Sequence, residues 1–331
     1  MGACVAQTKF VDVAPVGVPP AVQLKANSPF SRNFIRFASR LLGPDAKSAL
    51  GTECLDSLAP DEFARTVASA VERLPPLQML DLRAKLDFAE RLDYERDEIY
   101  LTMASPAEYP RRLACQKEPW TVKWIEEFVK PSHVLYDIGA NVGAYSLVAA
   151  KRTRGQARIF AFEPAFPNFP QLCRNILLNG CQNSIVPLPF ALGGTSRLEY
   201  FNYADLQHGS ALHTLGEQLD YKGQPFTPLY RQPMLTYAID DLLDTFHLPV
   251  PHHVKIDVDG TEMDVLRGAT KTLTHPEMTT IMIEICDLRC PAAHISEFLG
   301  PKGWRLTERH DRQDAQGRSQ NVSYLQYVKG I

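Results

Sequence analysis

The segment from Val134 to Leu147, VLYDIGANVGAYSL, constrains the fold of this chain more than any other. An apolar run of strand length ends in Asp137. Gly139 and Gly143 then bracket a tight loop, and a helical pattern begins. Glycine lets backbone pass close to a neighbour or a ligand, and a helix start offers free N–H groups and the positive end of a dipole. Strand, glycine loop and helix in that order predict a βαβ unit. The spacing Gly139-x-x-x-Gly143 lacks the third glycine that a dinucleotide pyrophosphate needs, which disfavours a nicotinamide oxidoreductase. An acid stands two residues before the first glycine instead. That set suits a ligand with a cationic amine and no pyrophosphate; the competing reading is a plain structural turn.

The same texture continues after Pro131. β-rich runs at His133–Ile138, Arg158–Glu163, Ile185–Ala191, His253–Val258 and Thr279–Cys286 alternate with helical stretches at Val142–Arg152, Phe169–Leu178, Asp240–Phe246, Thr261–Leu273 and Ala292–Leu299. Alternation of this kind predicts a doubly wound, mostly parallel sheet. Two further runs, Trp304–Glu308 and Val322–Val328, predict an antiparallel hairpin at its edge, for seven strands in all. The stretch between Leu192 and Asp240 is long for a connection and carries β-like Arg197–Tyr203 and Met234–Tyr237. Such an insertion is expected to cover the carboxyl ends of the strands, where α/β folds bind ligands.

Ahead of this domain, assigned to residues 100–331, residues 1–30 carry four prolines and read as a flexible leader. Residues 31–99 read as a helical accessory region. One helix is expected over Leu55–Leu74, closed by Pro75 and Pro76, and a second through Leu80, Leu82, Leu86 and Phe88. Pro119 sits where a further helix begins, its missing N–H being harmless at the first position.

Hydrophobic residues make up 45% of the 331, enough to bury a core without covalent staples. The formal net charge of −3 argues against a nucleic-acid partner, which calls for a basic face. Seven scattered cysteines contain no C-x-x-C pair, so neither a disulfide framework nor a zinc site is assigned, and reduced thiols in the cytoplasm are expected. No apolar run reaches the ~20 residues of a membrane helix.

Two more motifs carry chemistry. In FAFEP, Glu163 closes the next strand, placed to accept both hydroxyls of a ribose; the alternative is an acid stabilised by a helix dipole. With the glycine loop it reads as a pocket for a nucleoside joined to an amino acid. In VKIDVDGTE, Asp257, Asp259 and Glu262 gather at the end of the fourth strand. They are read as orienting or basic groups, with divalent-cation ligands and helix caps as the alternatives, and no metal is assigned. An alcohol attacked at neutral pH needs a base. The candidates in order are Asp257, then Glu262, then His208 or His213 in the insertion motif QHGSALH.

The strings KEPWTVKWIEEFV, VLYDIGANVGAYSL, FAFEP, PLPFAL and VKIDVDGTE, in this order from about Tyr100 to about Trp304, resemble the FkbM family of S-adenosylmethionine (SAM)-dependent methyltransferases. The resemblance implies a Rossmann-like class I methyltransferase fold. It implies that Asp137, Gly139, Asn141 and Gly143 line the methionyl part of SAM. Glu163 would hold the ribose, and Phe190–Leu192, with Ala191 at its centre, would lie beside the adenine. Where the family commonly has Glu, this chain has Asp259. Family members methylate hydroxyls of sugars and natural products, so the expected acceptor is a small molecule or glycan. A SAM-binding sensor or scaffold without turnover is the alternative.

Overall fold

The computed structural model describes residue 65, residues 75–85, 88–314 and 316–330. The leader, and all of the Leu55–Leu74 helix but residue 65, lie outside the described residues. The chain divides into two compact units, residues 1–86 and 87–331. In the first unit the described element is helix α1 (Pro76–Lys85).

The second unit opens with a difference from expectation. Phe88, assigned to a helix, begins strand β1 (Phe88–Arg91), which pairs antiparallel with β2 (Tyr100–Met103). The intervening Leu92, Tyr94 and Ile99, and Leu101 of β2, are buried in the main core. Tertiary burial therefore overrides the helical spacing, and residues 88–99 belong with the domain that follows. The free edge of β2 is satisfied by side chains: Asn175 accepts from the Thr102 N–H at 2.8 Å and Asn179 from that of Tyr100 at 2.9 Å.

A short helix α2 (Ala114–Lys117) then leads into α3 (Pro119–Phe128), with proline at its start as expected. Strand β3 (Val134–Ile138) is buried along its whole length, as a central parallel strand must be. After it come α4 (Ala144–Arg152), β4 (Arg158–Phe162), α5 (Asn168–Leu178) and β5 (Ile185–Leu188). The run expected to continue to Ala191 breaks at Pro189. Ala191 and Leu192 form β6, which pairs with a different sheet. That sheet is the insertion: β6 (Ala191–Leu192), β7 (Arg197–Tyr203), β8 (Thr214–Leu215) and β9 (Tyr230–Tyr237), in the order β6-β9-β7-β8.

The chain returns through α6 (Ile239–Phe246) and β10 (His253–Ile256). The single helix expected over Thr261–Leu273 is two, α7 (Glu262–Arg267) and α8 (Thr270–Thr274). Gly268 marks the break, pressed so closely on the insertion that a Cβ there would lie 2.1 Å from the Gly193 carbonyl oxygen. Strand β11 (Thr280–Cys286), α9 (Ala292–Leu299), β12 (Trp304–Gln313) and β13 (Ser319–Lys329) complete the domain.

The main sheet has seven strands in the order β12-β13-β11-β10-β3-β4-β5. Its five central and outer strands β11 to β5 run parallel, and β13 and β12 are antiparallel, the expected edge hairpin. Helices cover both faces. One core packs Trp124, Leu147 and Leu172 against Leu135, Ile159 and Met282. The other packs Ile239, Val265 and Ile295 against Tyr136, Ile256 and Ile283. The carboxyl ends of β3, β4, β10 and β11 are thereby aligned along one rim.

Candidate active site

Register fixes what meets at that rim. Ile138 pairs with Ile256, and Ile256 with Ile283. One residue further on, Gly139, Asp257 and Glu284 therefore stand level on three neighbouring strands, with Tyr324 paired opposite Glu284. Gly139 has φ +80°, and a Cβ there would sit 1.9 Å from the Asp257 carbonyl oxygen. Only glycine fits so close to a neighbouring backbone.

A cavity of ≈ 300 Å³ opens over this row. Gly139, Asn141, Glu163 and Ala191 line one end of it, with Phe162, Phe190 and Leu192. Asp257 and Glu284 line it toward β11, together with Lys117 and Arg312. Residues 210–213 of the insertion form a further wall, as expected of a segment covering the strand ends. Several hydrogen bonds tie the insertion down, Arg111 Nε and Nη2 donating to the Gly209 carbonyl at 2.9 and 2.7 Å among them. The Ser210 carbonyl accepts from Asn141 Nδ2 at 2.9 Å and from Asn168 Nδ2 at 3.0 Å, and the Leu212 N–H donates to Asp259 Oδ2 at 2.7 Å. Asn141, Leu212 and Asp259 all have positive φ, at 51°, 65° and 43°. Such conformations in residues with side chains concentrate where function holds the backbone.

Glu163 is 5% exposed and accepts the N–H groups of Asn141 (2.7 Å) and Ala165 (2.9 Å). Burial lifts its pKa to about 7, and those donors pull the other way. Asn168 Nδ2 also lies 3.5 Å from Oε1, so the acceptor capacity left for a hydroxyl is chiefly on Oε2.

Asp137 and Gly143 lie off the cavity wall, beneath the loop. The Asp137 carboxylate is 1% exposed, takes the Ser146 hydroxyl at 2.6 Å and faces the Lys255 ammonium at 3.5 Å, while its Oδ1 accepts no hydrogen bond. Gly143, at φ +89°, lets α4 pack on Leu172. Lys255 reaches Asp257 Oδ2 at 3.0 Å as well. Burial weakens its hold on the proton, yet the carboxylates of Asp257, Asp137 and Glu118 outweigh burial and hold it charged. Burial likewise favours protonated Asp257, but Lys255, with Lys117 and Arg111, overrides it and keeps the acid below its ordinary range.

Glu262 and His208 do not line the cavity. Glu262, the first residue of α7, accepts the Gly260 N–H at 2.7 Å and so closes the turn that enters the helix, and burial lifts its pKa to about 7. His208 Nδ1 lies 2.6 Å from the Pro167 carbonyl. His213 is on the wall, and burial lowers its pKa to about 4. Sequence reasoning missed Arg111, Lys117, Glu284 and Arg312. Glu284 left a readable trace: one carboxylate inside the apolar run TIMIEIC, in a strand buried on both faces. The three cations left none, since each falls in an ordinary polar stretch.

The pocket suits SAM on the structure's own terms. A glycine cradle without room for a Cβ, a buried carboxylate with free acceptor capacity and an apolar recess of Phe190, Ala191 and Leu192 answer to its amino-acid, ribose and base parts. Among curated proteins, the chain is 24% identical to the hexuronic acid methyltransferase AglP of Haloferax volcanii over 56% of this chain and 69% of that one. It is 27% identical to the methyltransferase sdnD of Sordaria araneosa (52% and 74%) and 28% identical to methyltransferase 1 of Beauveria bassiana (54% and 74%). The model of the methyltransferase FkbM domain matches residues 137–307, just over half of the chain, from the acid near the end of β3 to the first residues of β12. With the strand order and the pocket, this match makes the chain a member of the FkbM family of methyltransferases, with S-adenosylmethionine as its cofactor.

Proposed function

We propose that the protein transfers the methyl group of SAM to a hydroxyl oxygen of a saccharide or comparable polyol. The observation that supports this most is the placing of two acids, Asp257 and Glu284, level with the glycine cradle on one cavity wall. The cofactor supplies an electrophilic methyl carbon on a sulfonium. The protein's task is then to hold an oxygen in line with it, and orientation of that kind contributes ~7–11 kcal/mol.

In this reading Gly139 and Asn141 bound the amino-acid end, and Asp137 and Gly143 brace the loop from behind. Glu163 receives the ribose hydroxyls and Ala191 closes the base recess. Asp257, its charge fixed by Lys255, orients the acceptor. Glu262 and His208 shape the loops around it. Arg312 faces the cavity with no ion pair to any described residue, whereas Arg309 in the same strand is committed to Asp287 and Asp311. A free guanidinium on the wall of a cavity that Lys117 also lines favours an acidic sugar as acceptor, in keeping with the hexuronic acid in the name of the Haloferax relative.

The test is to incubate the purified protein with SAM and a panel of hexuronic acids, neutral sugars and polyols. S-adenosylhomocysteine release and product mass are then read. An alkali-stable monomethyl product is expected, because an ether survives base and a methyl ester does not. SAM binding with no turnover across the panel would favour the sensor.

A further inference from the structure

We infer that Glu284 takes the proton of the acceptor hydroxyl as its oxygen is methylated, an assignment that rests on the methyl-transfer reading above. Glu284 lines the cavity level with Asp257. The carboxyls of Glu118, Asp257 and Glu284 bring oxygens within 4.8 Å of one another. Two of the three are already matched by cations: Lys117 Nζ lies 2.9 Å from Glu118, and Lys255 Nζ 3.0 Å from Asp257. Among the described residues no cation pairs with Glu284.

The three acids therefore differ in chemistry despite their proximity. Asp257 is held anionic by Lys255 and is the weaker base. For Glu284, burial and the charges of Asp257 and Glu118 raise the proton affinity well above that of an ordinary carboxyl, outweighing the Lys117 ammonium and the Tyr324 hydroxyl, which act the other way. High proton affinity is what a proton acceptor needs, provided the resting proton can be removed. The positive charge that enters the cavity with the cofactor removes it, because a nearby cation favours the carboxylate. In the transfer, the acceptor's O–H bond breaks and its oxygen forms a bond to the methyl carbon. The C–S bond breaks to leave a neutral thioether, and the proton ends on Glu284.

The experiment is calorimetric titration with SAM, and separately with S-adenosylhomocysteine, in buffers of different ionisation enthalpy between about pH 6 and 9. SAM is expected to release up to about one proton per site, more than S-adenosylhomocysteine, which lacks the sulfonium charge, releases. In E284Q the difference should vanish while SAM still binds. In D257N it should persist at lower pH, since one raising charge is gone. SAM binding without a Glu284-dependent proton overturns the inference and leaves methyl transfer standing; absence of SAM binding in the native protein overturns the reading beneath it. Once the panel has identified an acceptor, E284Q should lose ~10²–10⁴-fold in kcat together with the acidic limb of the pH profile. If a chelator stops turnover, Mg²⁺ restores it and E284Q weakens Mg²⁺ binding, the three acids are a cation site and the inference fails.

Discussion

Replacing Lys255 by methionine tests whether the rim of the sheet is an ion set or a collection of separate acids. The ammonium is shared by Asp137 and Asp257, with side-chain exposures of 5% for the lysine and 1% and 28% for the acids. Methionine keeps most of the stem volume, so the main loss is the charge. Removing one partner of a buried pair costs ~3–5 kcal/mol, and the opening of Asp257 toward the cavity places this case near 3. For a unit of this size each kcal/mol moves Tm by ~2–4 °C, giving a fall of ~6–12 °C at neutral pH. The sign of the pH dependence follows. In the native protein Lys255 depresses the Asp257 pKa, so its contribution is present above the unfolded value and lost as pH falls through the folded one. In K255M Asp137 is buried with no cation within ion-pair distance and Asp257 keeps only the more distant Lys117 and Arg111, which penalises the fold where these acids must ionise. The gap between native and variant should be widest at neutral pH and should narrow in acid. Scanning calorimetry from about pH 4 to 8 reads this directly. A fall below ~2 °C, or one equal at both ends of that range, would refute the shared-ion argument.

Gly139→Ala places a methyl against the Asp257 carbonyl oxygen in a backbone conformation that alanine resists. Together these effects are worth ~2–5 kcal/mol, and SAM affinity should fall ~100-fold or more by calorimetry; affinity within about threefold of native would remove the cradle. Glu163→Gln should weaken SAM by ~1.5–3 kcal/mol, the worth of hydrogen bonds to a charged acceptor. In the native protein binding should strengthen as pH rises through about 7, and an affinity flat across that range would count against the ribose assignment. Burial lowers the pKa of His253 to about 3 and lowers that of His133, whose ring lies 2.8 Å away. Below the unfolded value of ~6.5 the unfolded chain binds more protons, so stability falls with pH through that window. In His253→Gln the fall should be shallower, as urea titrations at two pH values would show. Arg312→Ala should raise KM for a hexuronic acid ~10-fold or more and leave SAM affinity unchanged; equal loss for neutral sugars would break the charge argument.

The fold was legible because its signals are local. VLYDI can only be a strand buried on both faces, and the glycines after it permit only a tight loop. The misreadings share one cause, which is contact between segments far apart in sequence. Phe88–Arg91 carries helical spacing but is drawn into a hairpin whose edge is finished by Asn175 and Asn179, more than seventy residues away. Gly268 reads as tolerable inside a helix until the Gly193 carbonyl is seen against it. In the site, the loop residues were visible as a motif, but the burial of Asp137 behind the loop was not. It depends on Lys255, which the sequence places beside Asp257 and register places beside Asp137.

The missed residues also divide the work of the site. The family match ends at residue 307 and begins at Asp137. Arg111 and Lys117 precede it and Arg312 follows it, so the cations on the cavity wall come from the flanks of the matched segment. Methyl transfer asks one thing of the matched part: a cofactor held with its methyl group open to an incoming oxygen. In the proposed reading strand register supplies that through Gly139, and it sets Asp257 and Glu284 level with the cradle to meet the hydroxyl. Discrimination between acceptors needs groups that touch the remainder of the molecule, and the cations available for it stand off the rim, on the turn Tyr109–Leu113, at the end of α2 and on the edge strand β12. An exchange of acceptor should therefore follow first from substitution at Arg312, because Arg111 is held by the Gly209 carbonyl and Lys117 by Glu118, with cofactor affinity left where the register sets it.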